Sequence, residues 1–155
     1  MIAISLLLIA GGAIGAKLHR SIEKKRFTSS LDRLKTRLSD CRQLALNMQA
    51  DWKGALYHNE DKWVFEAYTL DEAKMNRFLP LKLESFDLYW NGNKIDQVSF
   101  LFASGGEVRV EKEATGTFLF KKNKDSDRWE IPLIFRLDES PDGSKSGPQH
   151  PDVLQ

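Results

Sequence analysis

The chain has 155 residues, 41% of them hydrophobic, enough for one domain with a real core. Its net charge of +1 hides an asymmetry: residues 17–37 carry eight Lys/Arg against Glu23 and Asp32, a balance of +6 that leaves −5 for everything else. The acidic remainder argues against a nucleic-acid partner, and a lone cysteine, Cys41, excludes an internal disulfide and cysteine-based zinc spacing.

The first element is an uncharged run, residues 2–16, with Ile2, Leu6, Leu7, Leu8, Ile9 and Ile14 as its large apolar side chains. A helix that crosses a bilayer needs about 20 apolar residues, and runs of roughly 10–14 more often mark a signal-peptide core or a buried helix. Fifteen lies between, although Leu18 extends the run and Lys17 can snorkel. A cleaved signal peptide would find small residues at Ala13, Gly15 and Ala16, but no basic region precedes the run. A core helix would be weakened by Gly11, Gly12 and Gly15. The third reading is an uncleaved membrane anchor over residues 1–18, favoured because helical periodicity continues beyond it. A basic collar directly after the run suits a lipid headgroup surface.

That continuation is the strongest periodic signal in the chain. Phe27, Leu31, Leu34, Leu38, Cys41, Ala45, Met48 and Trp52 are spaced alternately by four and three, one apolar stripe on a helix. Asp32, Arg33, Lys35, Arg37, Asp40 and Arg42 fill the intervening, solvated positions. No proline occurs before position 80, so one helix is expected from residue 2 to about residue 53, roughly 75–80 Å long. Its amphipathic part is assigned to residues 19–57. The stripe is expected to pack on the protein's own sheet, with a two-helix coiled coil as the alternative.

Downstream the period changes to two. Gly54 is read near the helix end, and His58-Asn59-Glu60-Asp61 as a turn. Trp63–Thr69 is rich in strand formers. Asp71-Glu72 opens a short helical stretch to Phe78, stopped before Pro80. Phe86, Leu88 and Trp90 alternate up to Asn91-Gly92, a hairpin dipeptide. Val98, Phe100 and Phe102 alternate up to Ser104-Gly105-Gly106; Val108 and Val110 follow. Phe118 and Phe120 alternate before a polar turn from Lys121 to Asp127. Trp129, Ile131, Leu133, Phe135 and Leu137 form the cleanest alternation, and Pro132 makes that strand an edge or bulged one. Short turns between consecutive strands predict an antiparallel meander over residues 58–137. The predicted class is therefore α+β, a long N-terminal helix packed on an antiparallel meander sheet. Residues 138–155, rich in Pro, Gly and Ser, are expected to be a disordered tail.

No catalytic constellation is suggested. His19, His58 and His150 lie in the collar, a turn and the tail. Cys41 sits in the apolar stripe and reads as a packed small residue. Ser104-Gly105-Gly106 lacks the Lys-Ser/Thr and following helix of a phosphate loop. No cofactor, no metal and no small-molecule substrate is expected. Tyr57, near the helix end, and Trp90, beside the Asn-Gly turn, are the aromatics expected to be partly exposed and thus interface candidates.

Three stretches carry a resemblance. Met1–Gly12 looks like the interior of an N-terminal pilin helix. Cys41–Lys53, followed by Trp63-Val64-Phe65, looks like that helix ending and leading into the first strand. Val98–Val108 looks like a strand, Gly-turn and strand. Together they resemble the type IV pilin-like proteins, most of all the minor pseudopilins of type II secretion systems. The resemblance implies a non-enzymatic filament subunit that takes part in protein export. It would be held in the bacterial inner membrane by a single helix, with its C-terminal domain in the periplasm. Its implied partners are other pseudopilins and inner-membrane secretion components.

The family's basic leader, processing Gly and following acidic residue have no counterpart here. Met1 is expected to be an internal residue of the natural helix, and about six further residues would bring the apolar run to roughly 20. The collar by itself places the domain on the cytoplasmic side, so a membrane protein with a cytoplasmic scaffold or assembly domain stays open. A secreted binding domain with a cleaved signal peptide stays open as well.

Overall fold

The computed structural model describes residues 2–71 and 77–136, with side chains from Gly12 onward. The anchor side chains Ile2, Leu6, Leu7, Leu8 and Ile9, most of the predicted short helix after Asp71, and the C-terminal tail lie outside the described residues.

One uninterrupted helix, α1, runs from Ile2 to Met48. The apolar stripe decides which side it buries. Phe27, Leu31, Leu34, Leu38, Cys41 and Ala45 are all at most 3% exposed. Complete burial of each of the four large side chains is worth roughly 1.5–3 kcal/mol. The helix ends earlier than its periodicity suggests. Gln49 turns into the left-handed region at φ 50°. Its N–H donates to the Leu46 carbonyl, and the Ala50 N–H donates to the Ala45 carbonyl. These two bonds form a Schellman cap that satisfies carbonyls the helix would otherwise leave orphaned.

Trp52, read as the last stripe position, is therefore the first residue of strand β1 (Trp52–Asn59), and Tyr57 belongs to that strand. Gly54 is not a helix stop. A Cβ there would lie 3.0 Å from the Phe65 ring and 3.2 Å from the Phe102 ring, so the strand needs glycine to let two aromatics close over it.

Among the described residues nine strands follow the helix: β1, β2 (Lys62–Thr69), β3 (Leu81–Leu83), β4 (Asp87–Trp90), β5 (Asn93–Ile95), β6 (Gln97–Phe102), β7 (Val108–Val110), β8 (Gly116–Lys122) and β9 (Asp125–Ile131), before a helical turn α2 (Leu133–Arg136). They do not form a single meander. Two sheets are present, with orders β3-β2-β1-β6-β7 and β5-β4-β8-β9, and every pairing is antiparallel. The chain changes sheet three times, between β3 and β4, between β5 and β6, and between β7 and β8; at the second crossing the Asp96 carbonyl accepts the His58 N–H.

The turns follow local chemistry. Asn91 and Gly92 both take positive φ, the type I′ hairpin that the Asn-Gly dipeptide specifies. Glu60-Asp61 alone connects β1 to β2, with His58 and Asn59 in the strand. The β8–β9 turn narrows to Asn123-Lys124, because Lys122 pairs with Asp125. The predicted last strand stops at Ile131. Pro132, joined by a cis peptide bond and without an N–H to donate, ends the ladder, and Leu133–Arg136 coils instead.

The helix stripe and the inner faces of both sheets share one apolar cluster. Phe27 meets Phe86 across the helix–domain junction at 6.4 Å, and Phe100 meets Phe118 between the sheets at 5.8 Å. Trp63 stacks on Phe86 at 5.2 Å and donates its indole N–H to the Phe86 carbonyl at 2.8 Å. The helix therefore completes this core as one of its walls.

Candidate assembly and membrane interface

The described part of α1 divides at Phe27. From there to Met48 it is fixed to the domain; from Gly12 to Arg26 nearly every residue is exposed. Polar clamps reinforce the docked half. Arg42 donates from Nε to the Gly106 carbonyl at 3.0 Å and from Nη1 to the Phe135 carbonyl at 3.5 Å. Arg37 donates to the Leu79 carbonyl at 2.8 Å and lies over the Phe78 ring. The buried Ser30 hydroxyl accepts the Glu84 N–H at 3.2 Å. A hydrogen bond to a charged group contributes about 1.5–3 kcal/mol; the Arg37 bond is exposed and the Arg42 bonds are part-buried, so they fall at or below the lower end. The Ser104-Gly105-Gly106 turn is a strand-end turn, as read from sequence. It also supplies the carbonyl that Arg42 grips, and Leu46 lies against Gly106.

The protruding half carries Ile14, Leu18 and Ile22, exposed by 66%, 61% and 41%. Lys17, Arg20, Lys24, Lys25 and Arg26 are exposed around them. Among the described residues no helix is long and apolar enough to cross a membrane.

Of the two aromatic interface candidates, Tyr57 is partly exposed, as expected, and Trp90 is not. Trp90 is 7% exposed, packed 4.5 Å from Phe118 and directly over Gly116. The alternation that buries Leu88 also turns Trp90 inward, and adjacency to the turn does not override it. Tyr57 is half-buried on β1, and burial, followed by the Glu66 carboxylate as hydrogen-bond partner and charge, pushes its phenol pKa up.

The titratable side chains that could do chemistry are kept apart. His19 pairs with Glu23 at 3.4 Å along the helix, and His58 meets Trp63 edge-on at 5.3 Å. Among the described residues no three His, Cys, Asp or Glu side chains gather around a common metal position. Cys41 is fully buried. Desolvation pushes its thiol pKa up to about 12, with Arg37 lowering it and Asp40 raising it more weakly.

The sign of the linkage is fixed. The folded state holds the proton that an unfolded thiol releases near pH 9, so stability is undiminished below pH 9 and falls as pH rises from 9 towards 12. Maleimide is expected to leave Cys41 unlabelled in the folded protein at pH 8 and to label it in denaturant. Rapid labelling of the folded chain would contradict this burial.

The architecture defines an α+β protein in which a long helix is one wall of a core shared by two antiparallel sheets. In comparison with known proteins, no protein-family model, no characterised protein and no solved structure matches this chain.

Proposed function

We propose that this protein is a non-enzymatic structural subunit of a pilin-like filament, most like a minor pseudopilin of a type II secretion pseudopilus. The observation that carries the reading is the division of one helix into two halves. Ile2–Met48 is uninterrupted, yet its described side chains are buried in the domain only from Phe27 onward. A helix that is exposed and apolar at one end needs a second environment for that end. In this reading the second environment is the bacterial inner membrane before assembly and the helices of neighbouring subunits afterwards. The docked half holds the sheet domain rigidly on the filament surface, in the periplasm, where it meets other pseudopilins and the export machinery. The three stretches of sequence that resemble pseudopilins point the same way, and the subunit's role there is mechanical.

The test combines topology and contact. A C-terminal alkaline phosphatase fusion is expected to be active, which reports a periplasmic domain. Leu18→Cys is expected to give oxidative cross-links to neighbouring subunits, and Lys124→Cys, in the β8–β9 turn, is not. Buried Cys41 keeps the background silent. An inactive phosphatase together with a fluorescent cytoplasmic reporter would replace the reading with a cytoplasmic scaffold. A mature mass lacking residues 1–16 would replace it with a secreted domain.

A further inference from the structure

The exposed apolar residues of α1 do not continue the buried stripe. At 3.6 residues per turn, Ile14, Leu18 and Ile22 fall within about 80° of one another and point roughly 180° away from Phe27, Leu31, Leu34 and Leu38. The same outer side carries Lys25, Arg26, Ser29 and Arg33, with Asp32 as the one carboxylate of the helix among them. The apolar ridge therefore runs into a basic patch on the outer flank of the helix, bordered by the domain at Ser30 and Glu84. Ile22 is the join. With Lys25, Arg26, Ser29, Arg33 and Glu84 it lines an open groove of about 380 Å³.

The cations of this helix are used in two different ways. Arg37 and Arg42, nearer the domain, are tied to carbonyl oxygens of the sheets. Lys25, Arg26 and Arg33 are exposed, and among the described residues no hydrogen bond or ion pair engages their side chains. Glu84 is the single acidic side chain in the groove, so the groove keeps a net positive charge. Fifteen of the chain's 23 Lys/Arg lie outside residues 17–37, yet only the collar has a strong positive balance.

We propose that the outer face of α1 from Ile14 to Arg33 docks on an anionic phospholipid surface. The Ile14–Leu18–Ile22 ridge enters the acyl boundary, and Lys25, Arg26 and Arg33 hold headgroup phosphates. The choice of occupant follows from the join. A free phosphate would have no use for the ridge, and a purely apolar partner would leave three cations desolvated without counter-charge. A lipid leaflet offers acyl chains and phosphate within one headgroup depth. The sheets pack on the opposite side of the helix and the domain borders the groove at Glu84, so contact along this side holds most of the domain behind the helix. The proposal rests on the bilayer-seated helix of the preceding reading and adds which lipids it prefers and which way it faces.

The experiment is flotation of the full chain with vesicles of phosphatidylcholine alone or mixed with phosphatidylglycerol. The ratio of the two partition coefficients is read, which cancels the contribution of the uncharged run. A Lys or Arg near an anionic surface strengthens attachment about fivefold. The ratio is expected to be about one hundred from the three cations, to fall roughly twentyfold in Lys25→Gln/Arg26→Gln, leaving the roughly fivefold preference of Arg33, and to shrink with added salt. Lys121→Gln/Lys124→Gln, an equal charge change in the β8–β9 region, is expected to leave it unchanged.

A ratio near one with both vesicle types still bound overturns the lipid face and leaves the filament reading standing. Attachment to neither type overturns both. An equal loss in the Lys121/Lys124 variant reduces the effect to net charge and overturns the face. So does displacement by inorganic phosphate at constant ionic strength, which would mark a small-anion groove.

Discussion

Replacing Leu34 and Leu38 together by alanine is expected to remove most of the folding free energy of the domain. Both side chains are 0% exposed, one helical turn apart, in the middle of the stripe that closes the core. A buried Leu→Ala change costs about 2–5 kcal/mol. The two share one cavity and will not add strictly, but a combined loss of about 5 kcal/mol or more is comparable with the 5–15 kcal/mol that holds a typical domain together. Urea unfolding of the detergent-solubilised chain, followed by tryptophan fluorescence, measures it, because Trp52 and Trp63 are both buried in this core. The matched control is Ile14→Ala/Leu18→Ala, the same kind of truncation at exposed positions, expected to stay within about 0.5 kcal/mol. Equal effects from the two pairs would show that the helix is not a wall of the core.

Gly116→Ala is expected to be the most damaging single methyl addition among the described glycines. A Cβ at Gly116 would fall inside the Trp90 ring, which is itself held against Phe118. Overpacking of this kind usually costs about 1–3 kcal/mol. Here the upper end is expected, because the indole has to leave its place between the strands to make room. Trp90→Leu should relieve the clash at the cost of a cavity. The double variant Gly116→Ala/Trp90→Leu is then expected to be more stable than the sum of the single losses predicts, by roughly 1 kcal/mol or more. Additive losses in thermal melts would mean that the ring moves freely and that this contact does not constrain β4 against β8.

These two expectations mark where local pattern was sufficient and where it was not. The alternation of three and four between Phe27 and Met48 identified the buried face of α1 residue by residue, because a helix fixes the direction of each side chain. The same reasoning carried the stripe one step too far, to Trp52. A period of 3.5 cannot signal its own end, and the stop is a Schellman cap on Gln49, a residue that does not announce a left-handed turn as glycine would. Gly54, which looked like that stop, is a close approach between β1 and the rings of Phe65 and Phe102, a partnership no local window contains.

Among the strands, the period of two placed Val98, Phe100, Phe102, Phe118, Phe120, Trp129 and Ile131 inward correctly, and Asn91-Gly92 fixed its own turn. Alternation specifies a face and not a neighbour. It could not show that β1 pairs with β6 across 40 residues of sequence, or that β4 joins β8 in a second sheet. Trp90 was misplaced for a related reason: its neighbours in sequence are a polar turn, while its neighbours in space are Gly116 and Phe118.

The sequence by itself determined the helix, its buried stripe, the basic collar and the inward side of each strand, because each of these is set within a few residues by backbone period and charge. The tertiary structure decided the split into two sheets and the Arg37 and Arg42 clamps, and it left Lys25, Arg26 and Arg33 unpaired beside an outward apolar ridge. Those depend on which distant segments share the core. That is settled only when the helix and both sheets exclude water together.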